Sequence, residues 1–556
     1  MKRQGIAVAA WLAWMLTAAA QTVLPDAAPR SYPLFYDSAD LFHKAIASAD
    51  KSTQPLSQKV TGITVPHHLL AADMIATTFR LASGHQPARI VILSPDHFRR
   101  GTTLLSTTTR SFQSPLGAVA IDMPAVRALL GDGLVAEPNL FSHEHGVQTL
   151  LPFIARFFPD VPVVPLALDI RSTPEEWEKL AALIQPIITP NTLIIQSTDF
   201  SHYLTQHAAA ARDQQTLMLL AAGDSAGIHN LNQPDNLDSK AAQWLQMTLQ
   251  RRVFHARPPV VVDNRNAIHY GGRQDEPSTT SYITQLHSPE FIPAATLPGQ
   301  AWFFGGDTHF GRHVAIAFAD PARAEGAAAA ILAITSGRPL IVNLEGVLLD
   351  EAPSPLTHPM RIGMAAGFSL AQLTRLHVCA VSLANNHTLD FGKPARSHMR
   401  ELLELSGITV IDEGQPIDFG PFRIAAATDV VNHPAPATAV LAESAFAGWN
   451  QAGSNNPLFA FLHCGTEYAN APGSRERLLA TWAERAGASL ILGCHPHRPS
   501  PAWERTDLSL RFLSLGNLIF DQTDPKNTGG LIEIRCFEQG TWSARWHPVG
   551  NRYLQP

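Results

Sequence analysis

The chain has 556 residues, 45% of them hydrophobic and 16% charged, with a formal net charge of −6. That length suits two domains, and the apolar content lets each build a core, which excludes a disordered chain. The mild acidic balance, with no basic patch, argues against a nucleic-acid partner.

Lys2 and Arg3 precede an apolar run from Ile6 to Leu16, and Ala18-Ala19-Ala20 stands before Gln21. This is the pattern of a secretory signal peptide over residues 1–20. The run is too short for a comfortable bilayer span. No Cys follows Ala20, so lipid attachment has no support, and no later segment reads as membrane-spanning. The expected location is periplasmic or extracellular, with no stable membrane span after cleavage. Residues 21–58 read as an extension of the mature end.

Residues 59–288 form the first predicted domain. Short apolar runs bounded by turn residues read as buried strands. Four of them end in chemically active groups: Pro66-His67-His68, Ser94-Pro95-Asp96-His97-Phe98, Ser142-His143-Glu144-His145-Gly146, and Thr198-Asp199-Phe200-Ser201-His202-Tyr203. Histidines with acidic neighbours at strand ends suit one transition metal, the carboxylates holding the ligands in place. His143 and His145 are each expected to hydrogen-bond structurally, whereas Glu144 is expected to line a pocket. Residues 289–300 carry three prolines and read as a linker.

Residues 301–550 form the second predicted domain. An Ala-rich helix is expected from Ala322 to Ala333, with others from Ala395 to Ser406 and Arg475 to Ala488, and a surface loop from Asn432 to Pro436. Five motifs follow strand-like runs in order: Gly306-Asp307-Thr308-His309, Asn343-Leu344-Glu345, Asn385-Asn386-His387, His463-Cys464-Gly465-Thr466-Glu467 and Gly493-Cys494-His495-Pro496-His497. Strands alternating with helices imply a layered α/β domain, in which ligands gather at the carboxyl ends of strands. Asp, Glu, Asn and His supply the oxygen and nitrogen ligands that hold two divalent metals side by side. Cys464 and Cys494 are expected to be small buried fillers. A bridge between them is geometrically conceivable, but the uneven spacing of the four cysteines argues against a disulfide framework.

On the strings GGDTHFGR, NLEG, SLANNHTLDFG, HCGTEY, GCHPHRP and SLGNLIFD, the second domain resembles the bacterial capsule-synthesis family of the CapA, or poly-γ-glutamate, type. That family belongs to the calcineurin-like metallophosphoesterases, so the resemblance implies a four-layer α/β/β/α fold. It implies that Asp307 and His497 bind one metal, that Glu345 bridges, and that Asn386, His463 and His495 bind the other, with His387 as general acid. The metals implied are Mn, Fe or Zn. His309 departs from the family pattern and is read as an extra ligand.

On PHH, SPDHF, EHGVQTLLPF, TDFSHY and HYGG, the first domain resembles the Memo family, also known as AmmeMemoRadiSam system protein B. That family shares an α/β fold with the class III extradiol dioxygenases. The resemblance implies a second metal site at His67, His97 and His202, with Glu144 and Asp199 in the pocket. The cysteine of human-type members is absent, and Asp235 or Asp238 is a substitute in loose register.

Two readings of function follow. One is an exported two-metal hydrolase acting on a phosphoester or on an envelope polymer such as poly-γ-glutamate. The other is a non-catalytic envelope-assembly factor, with both domains docking polymer or capsule-assembly proteins. A ring-cleaving oxygenase in the first domain is a weak third.

Overall fold

A computed structural model describes residues 31–273, 275–354, 360–450 and 456–554. The expected signal peptide, residues 1–20, lies outside the described residues, as does the start of the extension. No helix among the described residues is long and apolar enough to cross a membrane.

The chain folds as two α/β domains. In the first, the strands Gly62–Val65, Thr192–Ser197, Arg89–Pro95 and Val163–Leu168 lie side by side and parallel at the centre of a nine-stranded sheet. Nearly every residue in them is buried, which is why they read as continuous apolar runs. Thr279–His287 closes one side antiparallel to Gly62–Val65. Helices such as Ala72–Ala82 and Lys240–Phe254 cover the faces. Parallel strands release their chemistry at a common end. His67, His97 and Asp199 each stand two residues beyond such a strand end.

The second domain is a sandwich of a seven-stranded and a six-stranded sheet. The first contains Thr409–Ile411, Val378–Ser382, Leu340–Leu344 and Ala301–Thr308, parallel, then Gly530–Cys536 and Trp542–Pro548, antiparallel. The second is built on Arg423–Thr428, Leu458–His463 and Ala488–Cys494, again parallel. The strand alternation sets the layers. Phe304, Ile341 and Ala380 point between the sheets and meet Ile424, Phe459 and Leu490. Their neighbours Phe303, Leu340 and Val381 point the other way, against helix residues Ile331, Leu373 and Leu403. Helix Ser474–Arg485 covers the far side through Leu479 and Ala483. The four expected layers are therefore present, with helices at Pro321–Thr335, Gly392–Leu405 and Ser474–Arg485.

The two domains share a seam. Met218 and Ala221, from helix Gln206–Ala222, join the inter-sheet core beside Trp542 and Ala544. Gln214 donates to the Trp542 carbonyl (3.1 Å) and accepts from the Trp542 amide (2.9 Å). Asp213 is fully buried and accepts from Ser201, Ser281, Asn264 and, across the seam, Gln539. Burial holds its carboxyl above the usual range, against those four donors.

Candidate metal centres

In the second domain, the strand ends of both sheets converge on one buried polar cluster. The close approach of backbones makes this possible. A Cβ on Gly306 would sit 1.9 Å from the Gly516 carbonyl oxygen, and one on Gly493 would sit 2.0 Å from that of Leu513. Both glycines precede motif residues, so Asp307 and His495 are drawn inward. His495 itself has φ +97°, a strained conformation for a side chain of its size.

Asp307 is held from three sides. Its Oδ1 accepts from Asn343 (2.8 Å), its Oδ2 accepts from the His495 amide (3.1 Å), and His497 Nδ1 lies 3.2 Å from Oδ2. Asp307, Glu345 and His497 are all buried, and each offers a ligand atom within 4.8 Å of the other two. Asn343 also reaches His463 Nδ1 (3.3 Å), so His463 donates from Nε2 to Asn386 Oδ1 (2.8 Å). The His463 and His495 rings are 4.8 Å apart. His387 donates from Nδ1 to Asp390 (2.7 Å), which leaves Nε2 facing Glu345 at 3.7 Å.

The electrostatics are those of a cluster arranged around positive charge. Burial raises Asp307, but the hydrogen bond and charge of His497 more than offset it, so its carboxyl stays well below the usual range. Glu345 is raised well above it, by burial and then by Asp307. His497 is pushed up to about 9, because Asp307 and Glu345 outweigh burial. Burial and the neighbouring His497 push His495 down to about 4. Glu345 Oε2 and His495 Nδ1 are buried with no hydrogen-bond partner among the described residues. Orphaned buried acceptors are costly, and a divalent cation would satisfy them. The donor set therefore fits divalent metal.

His309 does not join the group of Asp307, Glu345 and His497. It is fully buried, its Nε2 lies 3.1 Å from Asp521 Oδ1, and its Nδ1 accepts from the Gly311 amide (3.2 Å). Both ring nitrogens are thus committed, and Asp521 also pairs with Arg312. Cys464 and Cys494 are buried and free, as are the less buried Cys379 and Cys536. The loop from Asn432 turns inward at its start. Asn386 donates to Asn432 Oδ1 (3.3 Å), and His433 Nε2 lies 3.2 Å from Asp390 Oδ1. Asn386, Asn432, His433 and Lys393 line a cavity of about 400 Å³.

The first domain carries its own convergence. His67 Nε2 and His97 Nε2 are 3.0 Å apart, and Asp238 Oδ2 lies 3.1 Å from the former and 3.5 Å from the latter. Three potential ligand atoms thus meet in one small volume. His145 also belongs to the metal-capable group, within 4.8 Å of His67 and His97 by ligand atom. Each histidine is oriented from behind: His67 Nδ1 by Ser197 (3.1 Å), and His97 Nδ1 by Glu144 (2.6 Å). Asp199 accepts from the His67 amide (3.0 Å). Asp238 Oδ1 is buried without a partner among the described residues, so this set too fits a cation.

His202 is not in this group. Its Nδ1 is turned onto the carbonyl of Phe200. His145 takes the place expected for it, while His143 stays exposed beside Ser142 (2.7 Å). Of the two candidate aspartates, Asp238 reaches the histidines. It does so because Leu237 bridges to Phe200 and the Asp238 amide bonds the Asp199 carbonyl. That pairing is tertiary and leaves no mark in the local sequence. Asp390, by contrast, lies three residues after His387, a spacing that signals a partner.

Comparison with known proteins agrees with this division. The model of the Memo-like protein family matches residues 29–244, and that of the bacterial capsule synthesis protein PGA_cap matches residues 301–415 and 450–522. These stretches contain the metal-capable residues of both clusters, while Asn432 and His433 fall between the two matched segments. A MEMO1 family protein of Methanopyrus kandleri is 30% identical over 176 residues, 30% of this chain and 62% of that protein. Another from Thermotoga petrophila is 29% identical over 163 residues, 28% of this chain and 58% of its own length. The chain thus spans about three fifths of the length of these relatives. The protein joins a Memo-like domain at its N-terminal end to a capsule-synthesis domain of the PGA_cap, or CapA, type at its C-terminal end.

Proposed function

We propose that the second domain is a dinuclear-metal hydrolase, acting outside the cytoplasm on a phosphoester or an envelope polymer such as poly-γ-glutamate. The observation that carries this reading is the buried set Asp307, Glu345 and His497, with Glu345 Oε2 and His495 Nδ1 left without partners. Asp307, Glu345 and His497 would hold one metal, and Asn386, His463 and His495 the other, shared through Glu345. Bound there, such ions activate water and neutralise developing charge on the substrate. Asp390 holds the His387 ring by Nδ1, so that Nε2 is aimed into the site to protonate a leaving group. His309 acts with Asp521 to set the loop that follows Asp307. The cavity lined by Asn386, Lys393 and Asn432 gives the substrate room beside the centre.

In the first domain, His67, His97 and Asp238 would bind a single Fe, Mn or Zn ion, with His145 beside it. Two imidazoles and one carboxylate suit such ions.

The test is metal content together with phosphodiesterase and phosphatase activity of the chain from Gln21, beside Asp307→Ala and His387→Ala. Metal lost in Asp307→Ala, with activity lost in both variants, supports the hydrolase. Bound metal without turnover would move the reading to an assembly factor that docks polymer. A second domain without metal would sink it.

A further inference from the structure

The seam between the domains opens into a cavity of about 360 Å³, away from both polar clusters. Protein interiors are close-packed, and a void of this size at a domain junction is the kind of concavity that takes small ligands. Its walls are largely apolar. Trp503 packs edge-on against Phe512 (5.0 Å between ring centres), and Phe512 stacks on Trp546 (4.5 Å). Ala222 and Pro258 of the first domain face them.

The charged groups around it are biased to one sign. Glu533 is buried and serves Arg545 (2.7 Å), His547 (2.9 Å) and Arg535 (3.7 Å) at once. One carboxylate therefore answers two guanidiniums, Arg545, half-buried in the cavity wall, and Arg535, buried and not part of that wall, whose Nε has no hydrogen-bond partner among the described residues. Arg257 lines the same cavity, exposed, and has no ion pair among the described residues. The rim carboxylate, Glu290, is as exposed as Arg257, so solvent and salt screen both alike, and the wall carries two guanidiniums to one carboxylate. Aromatic walls favour a flat ring, and surplus guanidinium favours an anion.

We propose that this interdomain cavity binds a planar aromatic anion, a carboxylate or sulfonate, with its ring against Trp503 and Trp546 and its charge toward Arg257 and Arg545. The site belongs to the fusion, because Ala222, Arg257 and Pro258 come from the first domain and Trp503, Trp546 and Arg545 from the second. It does not depend on the hydrolase reading.

The probe is 1-anilinonaphthalene-8-sulfonate, titrated into the whole chain with fluorescence detection, beside the uncharged N-phenyl-1-naphthylamine. The proposal expects one saturable site, tighter for the sulfonate, with tryptophan emission quenched in parallel. Arg257→Ala should weaken the sulfonate about fivefold, the scale of an exposed ion pair, and leave the neutral probe unchanged. Ala222→Trp should fill the cavity and abolish the binding of both. Should that variant fold poorly by circular dichroism, Ala502→Trp at the exposed rim replaces it. Non-saturating binding, equal affinity for the two probes in the wild type, or full binding in a folded cavity-filling variant would overturn the proposal.

Discussion

Glu345→Gln separates what the fold requires from what a cation requires. Glu345 is 1% exposed, and its Oε2 has no partner among the described residues. Burial, then the charge of Asp307, hold its proton far above the ordinary value of 4.5. A raised value means that the metal-free fold binds this proton more tightly than the unfolded chain does. The stability it contributes is complete below pH 4.5 and is lost as pH rises toward the folded value. His497 acts in the same sense between 6.5 and about 9, whereas His463 and His495, both lowered, act in the opposite sense. The difference between wild type and variant therefore reports Glu345 together with the share of the His497 shift that Glu345 itself causes. Glutamine copies the shape of the protonated acid and cannot ionise. Metal-stripped variant and wild type should melt alike near about pH 5, and the variant should be the more stable by about pH 8. The gap grows by at most about 1.4 kcal/mol per pH unit. With metal the order reverses. Losing a buried charge opposite a cation costs about 3–5 kcal/mol, on the order of 10²–10⁴-fold in affinity. Scanning calorimetry of stripped protein across pH, and a calorimetric Mn²⁺ titration, read the two effects. A variant less stable than stripped wild type at every pH, or one with undiminished Mn²⁺ affinity, would refute the reasoning.

Asp390→Asn should lower kcat about 10- to 100-fold with metal content unchanged, because it loosens the His387 ring rather than a ligand. Loss of metal instead would show a different role. Asp238→Asn should strip iron or manganese from the first domain while leaving the second domain's metal in place. Metal analysis that finds no change would remove Asp238 from the site. Gly306→Ala places a methyl 1.9 Å from the Gly516 oxygen, and should cost at least about 3 kcal/mol. A variant melting with the wild type would show that the strands do not meet so closely.

Much of the fold was legible because it rests on local signals. Buried parallel strands make unbroken apolar runs, as in Ile90–Leu93 and Leu340–Val342, and both appear as strands. The ends of those strands carried the motifs, so Asp307, Glu345, His387, His463, His495 and His497 could be placed together from sequence. What stayed hidden depends on contacts distant in the chain. His309 sits where an extra ligand was expected, but Asp521, 212 residues away, holds its ring. His145 was set aside as structural because nothing local shows its ring 4.1 Å from that of His97. Asp238 was one of two candidates until the Leu237 bridge to Phe200 fixed its register. Asn432 looked like an ordinary surface position in a Pro- and Ala-rich stretch, yet it bonds Asn386.

The segment that joins the domains is built into the second one. Arg545 donates to the Ile292 carbonyl (2.8 Å) and Arg535 to that of Pro298. With the Asp213–Gln539 and Gln214–Trp542 bonds across the seam, the halves adhere without needing the covalent link. A protease nick between Ser288 and Gln300 would leave a chain that migrates as two pieces in denaturant yet elutes as one particle in buffer. Expressed alone, either half would present Met218 and Ala221, or Trp542 and Ala544, to water. Each would be prone to aggregate, and the two would associate when mixed.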